Sequence, residues 1–266
     1  MNYRHWISEN FDKETDVAFI TGGSSGIGFS YAELLVNEGC HCILLSNDYE
    51  ELAQAKNRLM HTPDARVDCL FCDLANLSEV KALESALAGY QIKILVNCAG
   101  YGQKGDFLSH TLDQYVHIVM VNSISQIAFL RMLLPKMREM NSGLVISVAS
   151  INVVTPIPKN AVYTGTKYLN WACALAISEE NRDYNIVFQV LLPGTTDTPF
   201  HIKQGAVPRA ITMQPMDVAR NSLNNLDALI YIPNWIDRLT YPFVYWLPVR
   251  IKMKIAAYSL KKRLGI

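Results

Sequence analysis

The chain contains 266 residues, carries 24 basic and 24 acidic side chains, and is 50% hydrophobic. This length fits one large α/β domain or two small ones, and no Gly/Ser tract, Pro-rich tract or repeat marks a linker. The balanced charge provides no basic surface for nucleic acid, so we expect no nucleic-acid partner. The N-terminal stretch MNYRHWISENFDKETD includes acids and lacks an apolar core, which argues against a signal peptide.

Apolar runs typical of strands alternate with longer amphipathic stretches. The predicted strands are VAFITG (17–22), HCILLS (41–46), RVDCLFC (66–72), KILVNCAG (93–100), GLVISVAS (143–150) and NIVFQVLLP (185–193). The predicted helices cover 25–38, 48–60, 76–88 and about 111–140, followed by one that carries Tyr163 and Lys167. Strands this rich in Val, Ile and Leu are covered on both faces. The alternation predicts an α/β fold with a doubly wound parallel sheet of the Rossmann type.

The six cysteines do not form a convincing metal-binding set. Cys69 and Cys72 have CxxC spacing, but both lie in VDCLFC, where strand alternation directs them to opposite faces. We therefore expect reduced structural thiols and no metal, which suits a reducing, cytoplasmic compartment.

A glycine-rich turn, TGGSSGIG (21–28), joins the first predicted strand to the first long helix. Glycines in this position permit a tight turn and a close approach of the backbone to a pyrophosphate, which then faces the free N–H groups of the helix. A glycine turn alone is weak evidence, but this one follows a strand and opens a βαβ unit.

Together with this turn, NCAG (97–100), Ser150, YTGTK (163–167) and PGTTDT (193–198) resemble the signature motifs of the short-chain dehydrogenase/reductase family. The resemblance covers about residues 15–230, with Cys98 where the family usually has Asn. It implies an NAD(P)-dependent oxidoreductase acting on CH–OH groups. The cofactor-binding residues that it implies are Thr21, Gly22, Ser24, Ser25, Gly26, Ile27, Gly28, Ser46, Asn47, Asp73, Leu74, Asn97, Ala99, Gly100, Tyr163, Lys167, Pro193, Gly194, Thr195 and Thr198.

The same resemblance assigns the catalytic roles. Tyr163 is the general acid/base, and Lys167, four residues later on the same helix face, lowers the pKa of Tyr163 and binds the nicotinamide ribose. Ser150 polarises the substrate oxygen, and Asn122 anchors a water molecule that feeds protons to Lys167. Taken singly, each of these residues also fits an ordinary structural role in a helix or at a strand end.

The choice between the two nicotinamide cofactors depends on the residues after the second predicted strand. Ser25, Asn47 and Asp48 stand where NADP-preferring members usually carry Arg or Lys, and Ser46 stands where NAD-preferring members usually carry Asp. With no cation for a 2′-phosphate and an acid nearby, we favour NAD(H) over NADP(H). Asp48 also fits a helix N-cap, with Glu51 completing a capping box. The resemblance assigns Asp73 to the adenine amino group, and its alternative role is also that of an N-cap.

We predict a single domain over 1–266, with a core at 15–230, a short last strand in LIYIPN (229–234), and a helical, basic and aromatic extension at 231–266. Similar extensions occur in a family subgroup with hydrophobic substrates and in some steroid dehydrogenases. Three interpretations of the extension stay open: a cap on the substrate pocket or a subunit interface, a peripheral contact with an anionic membrane surface, or a solvated end.

The segment after PGTTDT, PFHIKQGAVPRAITMQPM, is apolar and rich in methionine, which indicates a lid over a bulky hydrophobic ketone or secondary alcohol. A steroid, including a bile acid, is the first choice, and a long-chain acyl or polyketide-like ketone the second. The alternatives of other classes are a non-catalytic dinucleotide-binding sensor or scaffold, and an epimerase or dehydratase that uses the same site. The resemblance implies a homodimer or homotetramer.

Overall fold

The computed structural model describes residues 1–199 and 212–264, which form a seven-stranded, all-parallel sheet between two layers of helices. The strand order is β3-β2-β1-β4-β5-β6-β7, the doubly wound arrangement that the sequence predicts. The strands are β1 (Asp16–Thr21), β2 (His41–Ser46), β3 (Val67–Phe71), β4 (Gln91–Asn97), β5 (Gly143–Val148), β6 (Ile186–Leu191) and β7 (Ile230–Tyr231). The last of these confirms the short strand expected in LIYIPN.

Ten helices accompany the sheet in the described part of the chain. They are α1 (Tyr3–Asn10), α2 (Gly26–Asn37), α3 (Tyr49–Leu59), α4 (Leu77–Leu87), α5 (Leu112–Val119), α6 (Ser125–Glu139), α7 (Ala161–Glu180), α8 (Pro215–Leu223), α9 (Trp235–Trp246) and α10 (Val249–Leu264). The last two confirm that the C-terminal extension is helical. The lid predicted after PGTTDT falls largely on residues 200–211, which lie outside the described residues.

Alternate residues of most strands enter two hydrophobic cores, one on each face of the sheet, and a smaller third cluster includes Val190, Leu192 and Ile232. Ile20 and Leu44 face the layer formed by α1, α2, α3 and α8, whereas Phe19 and Leu45 face the layer that contains α4 and α6. The ring of Phe19 packs edge-on against that of Phe129 from α6, with centroids 5.2 Å apart. Burying such a side chain contributes about 1.5–3 kcal/mol, so both layers hold the strand ends in fixed positions.

Helix α1 is an element that the sequence analysis did not predict. Tyr3, Trp6 and Ile7 recur at the spacing of one helix face, and all three are buried in the core that contains β1 and α2. Asn2 begins the helix, because its side chain accepts a hydrogen bond from the Arg4 N–H over 2.8 Å.

The long helix predicted over about 111–140 is present as α5 and α6, joined without a break by the wide π-helical turn Met120–Ile124. Within the described residues, the span Leu112–Glu139 is the one whose length and mean hydropathy would suit a membrane crossing. Half of its most apolar window is buried inside the fold, where α6 packs on β4 and β5 and α5 packs on α7. The apolar residues of this span therefore pack against the sheet and α7.

The CxxC pair behaves as the strand assignment predicts. Cys69 lies within β3 and Cys72 just after it, and each is a free thiol. Burial raises the pKa of Cys72 to about 11, so its thiol is protonated at neutral pH.

Candidate active site

The carboxyl ends of the central strands meet at one edge of the sheet, where the strand order reverses between β1 and β4. Thr21, the last residue of β1, pairs with Asn97 of β4, and Asn97 pairs in turn with Ser147 of β5. In open α/β sheets this switch point is where ligands bind. Four of the five predicted motifs lie in the turns and loops at this edge, and the fifth, YTGTK, lies in the first turns of α7.

The glycine turn follows β1 and is shaped by positions that exclude a side chain. Gly22 and Gly26 have φ values of +64° and +58°, which L-residues rarely adopt. A Cβ on Gly28 would lie 2.2 Å from the carbonyl oxygen of Gly22, and a Cβ on Gly22 would lie 2.9 Å from the Cα of Ala99. The turn therefore lies directly against the NCAG segment, with the N-terminus of α2 open toward the crevice.

Thr21 ties these two segments together. Its hydroxyl oxygen accepts hydrogen bonds from the backbone N–H groups of Cys98 and Ala99, each over 3.0 Å. Asn97 is fully buried and donates to the carbonyl oxygen of Gln126, so it reaches a ligand in the crevice only through its backbone. Thr21 and Asn97 thus hold the shape of the site.

An acidic residue, Glu51, lies near the end of β2 in a position that the sequence did not reveal. Ser24 in the glycine turn lies 3.1 Å from the hydroxyl of Ser46 at the end of β2, and it donates to a carboxylate oxygen of Glu51 over 3.0 Å. Asp48 caps α3 by accepting from the Glu51 N–H over 2.9 Å. The N-cap role foreseen for Asp48 is therefore present, while the side chain of Glu51 turns back toward the glycine turn. Asn47 is exposed beside them.

Asp73, which the family resemblance assigns to the adenine, and Leu74 follow β3. Asp73 is half-buried, and its carboxylate accepts from the Ala75 N–H over 2.9 Å. Asn76, and not Asp73, caps α4, because its side chain accepts from the Ser78 N–H over 3.0 Å. The alternative N-cap role for Asp73 is thereby excluded, and Leu74 is buried beneath it.

Ser150, Tyr163 and Lys167 converge where β5 and α7 meet, and all three are at most 8% exposed. The Tyr163 hydroxyl is hydrogen-bonded to Ser150. The ammonium of Lys167 donates to the carbonyl oxygen of Val148 over 3.0 Å and lies beside Gly100, where an added Cβ would be 3.3 Å from it. Gly100 thus leaves room for the lysine head next to the glycine-turn crevice.

Burial sets the proton affinities of these groups. It raises the pKa of Tyr163 to about 12, while the hydrogen bond from Ser150 acts in the opposite direction. Burial also lowers the pKa of Lys167 to about 8. The prediction that Lys167 lowers the pKa of Tyr163 below its ordinary value is wrong for this chain, because removal of the phenolate from water outweighs nearby favourable interactions.

Asn122 lies in the π-helical turn between α5 and α6 and is fully buried. Its side chain accepts from the Tyr101 N–H and donates to the Tyr101 carbonyl, each over 2.9 Å, and it also donates to Thr166 over 3.1 Å. Its own carbonyl accepts from Asn170 over 2.7 Å. Asn122 therefore links the loop after β4 to the helix that carries Tyr163 and Lys167.

The PGTTDT loop after β6 completes the edge of the crevice. The carbonyl of Pro193 accepts from the Ile151 N–H over 3.1 Å, which joins this loop to the turn after Ser150. The methyl group of Thr198 faces Gly26, where an added Cβ would lie 3.1 Å away. Thr195 is half-buried, and its carbonyl accepts from the Met213 N–H.

Helix α9 of the extension brings a second acidic residue that the sequence analysis did not single out. The carboxylate of Asp237 lies so close to Gly194 that an added Cβ there would be 2.2 Å from it. Asp237 also lines a cleft of about 200 Å³ between α9 and the turn Ile151–Val154 that follows Ser150. The other lining residues are Asn152, Thr155, Thr240, Tyr241 and Val244.

These features fit a nicotinamide dinucleotide. The turn leaves no room for side chains at Gly22 and Gly28, as a pyrophosphate lying against its backbone requires, and Ser25 does not cap α2 with its side chain. The carboxylate of Glu51 suits the hydroxyls of a ribose at the other end. The residues that would hold the nicotinamide half are Tyr163, Lys167, Pro193, Gly194, Thr195 and Thr198.

Comparison with known proteins agrees with this arrangement. Residues 16–207 match the family model described as short chain dehydrogenase. An uncharacterized oxidoreductase of Staphylococcus saprophyticus is 30% identical over 69% of this chain and 79% of its own length. The very-long-chain 3-oxoacyl-CoA reductase-B of Danio rerio is 28% identical over 66% of this chain and 58% of its own. The rat 17-beta-hydroxysteroid dehydrogenase type 3 is 29% identical over 68% and 60%. The chain thus spans less than two thirds of the length of these last two relatives.

Solved structures show the same fold at lower identity. A 7beta-hydroxysteroid dehydrogenase superposes with a TM-score of 0.85 at 15% identity, covering 97% of this chain and all of the other. A Sphingobium yanoikuyae short-chain dehydrogenase in complex with NADPH gives 0.78 at 23% identity, covering 88% and 96%. One from Burkholderia phymatum in complex with NAD gives 0.78 at 20%, covering 86% and 92%.

The glycine turn yields a first prediction. Gly28→Ala places a Cβ against the Gly22 carbonyl, so we expect it to displace α2 and weaken NADH binding at least tenfold, measured by fluorescence titration. The matched control is Gly165→Ala in α7, where an added Cβ meets nothing within 4 Å. This control should bind NADH normally and gain about 0.5–1 kcal/mol in stability, as an exposed helical glycine does when replaced by alanine. Unchanged NADH affinity in the Gly28 variant would contradict the role of the glycine turn in binding the cofactor.

Proposed function

The chain belongs to the short-chain dehydrogenase/reductase family and is an oxidoreductase of that class, and we propose that it acts on a bulky hydrophobic ketone or secondary alcohol. A steroid or bile acid is the first-choice substrate. The observation that carries the proposal is the buried Tyr163 hydroxyl, bonded to Ser150 beside the Lys167 ammonium.

The bound nicotinamide dinucleotide supplies or accepts the hydride. In the direction of reduction, Ser150 holds the substrate oxygen, and Tyr163 gives that oxygen its proton as negative charge develops on it. A pKa near 12 keeps the Tyr163 hydroxyl protonated at neutral pH, so it is prepared to act as an acid. Lys167 then stabilises the phenolate left behind, and Asn122 keeps α7 in register with the loop after β4.

The cleft beside Ser150 supports a hydrophobic substrate with polar groups at its ends. Ile151, Val154, Tyr241 and Val244 supply apolar surface, whereas Asp237 and its polar neighbours offer hydrogen-bond partners. A carboxylate in this cleft favours a substrate that carries a hydroxyl over one that carries an acid at the same end. A 200 Å³ cleft that opens toward solvent suits one end of a larger molecule.

A long-chain 3-oxoacyl thioester is the second candidate substrate, supported by the similarity to very-long-chain 3-oxoacyl-CoA reductases. A non-catalytic sensor or scaffold is disfavoured, because a sensor has no use for a buried proton relay. The predicted homo-oligomer is supported by exposed apolar side chains on α5 and α7, including Leu112, Val116 and Tyr168. Location in the cytoplasm or at a membrane periphery stays a prediction.

A substrate panel tests this function. We expect NADH or NADPH oxidation with neutral steroid ketones or 3-oxoacyl thioesters, and little with short aliphatic ketones. Tyr163→Phe should bind NADH normally while losing about 10²–10⁴-fold in kcat, the usual contribution of a general acid. Tyr168→Phe is the matched control, because this tyrosine lies on the same helix but is 52% exposed. A Tyr163 variant that turns over at the wild-type rate would refute the assignment.

The raised pKa of Tyr163 predicts opposite pH profiles for the two directions. Reduction needs the phenol, so its kcat/KM should stay level between about pH 6 and 8 and decline at alkaline pH, where the phenol loses its proton. Oxidation needs the phenolate, so its kcat/KM should rise across the same range. Initial rates in both directions check this, with circular dichroism to confirm that the enzyme stays folded. Because the ammonium of Lys167 loses its proton near pH 8, the test applies below that value. An oxidation rate that falls between about pH 6 and 7 contradicts the mechanism.

Preference for NAD(H) is supported by the carboxylate of Glu51. Its hydrogen bond to Ser24 holds it at the end of β2, where it can accept from the hydroxyls of the adenosine ribose. A 2′-phosphate would meet this negative charge, and neither Ser24, Ser46 nor Asn47 offers a cation to offset it.

Replacement of Glu51 tests this preference directly. The wild type should bind NADH at least tenfold more tightly than NADPH, and Glu51→Gln should reduce that ratio by about tenfold, mainly by improving NADPH binding. The measurement is fluorescence titration with both cofactors. Glu50→Gln is the control, since Glu50 is exposed in the same turn of α3. Tighter binding of NADPH to the wild type would show that the predicted preference for NADH is wrong. An unaltered ratio in Glu51→Gln would show that Glu51 does not contribute to the preference.

A further inference from the structure

Helix α9 presents two different faces. Asp237, Thr240, Tyr241 and Val244 line the cleft beside Ser150. On the opposite face, four large apolar side chains point into solvent, within about 80° of arc at 3.6 residues per turn. They are Trp235, Leu239, Phe243 and Trp246, which are 68%, 62%, 77% and 82% exposed. A helix in solution normally keeps such a stripe buried, so this face is built for contact with something else.

Helix α10 follows α9 and exposes further apolar side chains, at positions spread around its circumference. Its exposed apolar side chains are Val249, Ile251, Met253, Ile255 and Tyr258, each at least 43% exposed. Eleven of the 25 exposed large apolar residues in the described part of the chain lie in α9 and α10, between 235 and 258. We name the exposed faces of α9 and α10 the aromatic surface.

Positive charge accompanies the aromatic surface. Arg250 and Lys254 are exposed among the apolar side chains of α10, and Lys252 reaches back to donate to the Tyr245 carbonyl over 2.8 Å. After Asp237, which faces the cleft, the sequence contains no acidic residue, and the basic run Lys261–Lys262–Arg263 follows. The chain as a whole has a net charge of zero, so this cationic excess is local.

We propose that the aromatic surface binds the face of an anionic lipid bilayer, with the tryptophan side chains of α9 at the level of the headgroups. Aromatic and aliphatic side chains interleaved with Lys and Arg are the composition of helices that lie in such an interface. A second copy of the chain is a poorer occupant, because it would bring the same positive charges together. The proposal does not depend on the substrate, since it rests on exposure and charge alone.

Bilayer contact would also serve the site. Because the cleft-lining residues and the exposed apolar residues of α9 lie on opposite faces of that helix, the cleft lies about one helix diameter, roughly 10 Å, from lipid in contact with α9. A poorly water-soluble ketone that partitions into the bilayer would then be concentrated close to Ser150. Attachment by this surface accordingly predicts a lower KM for such substrates when vesicles are present.

Vesicle binding by the full chain tests the proposal. We expect the protein to co-sediment with vesicles of phosphatidylcholine mixed with phosphatidylglycerol, about tenfold more weakly with phosphatidylcholine alone, and less as salt is raised. Lipids brominated near the headgroup should quench the fluorescence of Trp235 and Trp246, while the buried Trp6 stays protected. Absence of sedimentation with anionic vesicles at low salt would overturn the proposal.

Two variants separate the apolar and the electrostatic contributions to vesicle binding. Trp235→Ser combined with Phe243→Ser and Trp246→Ser should lose at least tenfold in vesicle affinity, and Arg250→Glu combined with Lys254→Glu should lose the preference for anionic lipid. The matched control is Phe107→Ser with Leu108→Ser, which removes apolar side chains that are 59% and 87% exposed and lie outside the aromatic surface. Light scattering gives the oligomeric state of each. If the aromatic variant dissociates an oligomer and vesicle binding is the same in all variants, the surface is an interface between copies and the proposal fails.

Discussion

Burial of a phenol and an ammonium at the same strand ends is the constraint on which the candidate site depends. Removing Tyr163 and Lys167 from water moves their pKa values in opposite senses, to about 12 and about 8, so at neutral pH the pair holds a proton on each group. The helix that carries the pair packs against β5 and β6, and this packing keeps both groups buried. The chemistry of the site is therefore a property of the packed sheet as much as of the two residues.

Much of the fold can be predicted from the sequence, because parallel strands that are covered on both faces are nearly continuous runs of apolar residues. The bounds of each predicted strand lie within about three residues of the observed ones, and the turn requires glycine because a side chain at Gly22 or Gly28 would clash with the backbone. Helix α1 was missed because three buried side chains among five polar ones do not stand out in eight residues. The strand and helix pattern thus predicts the scaffold but not every piece packed on it.

The sequence predicted only part of the candidate site. Motif spacing identified Ser150, Tyr163 and Lys167, which the structure brings together, although their roles stay predictions. Glu51 and Asp237 were missed as site residues because each reaches its place across the fold, from α3 and from the C-terminal extension. The direction of the pKa shift at Tyr163 was also missed, because four-residue spacing gives proximity to a cation and says nothing about the depth of burial.

The π-helical turn at Met120–Ile124 has a consequence for how this family member can change over time. The turn contains one residue more than an ordinary α-helical turn, so α6 is rotated by about 100° relative to where a regular continuation of α5 would put it. Loss of a single codon here would restore a regular helix, swing Phe129 out of the sheet-facing core and carry Asn122 away from Thr166 at once. The position of Asn122 and the packing of Phe129 on the sheet therefore both depend on the length of this helix.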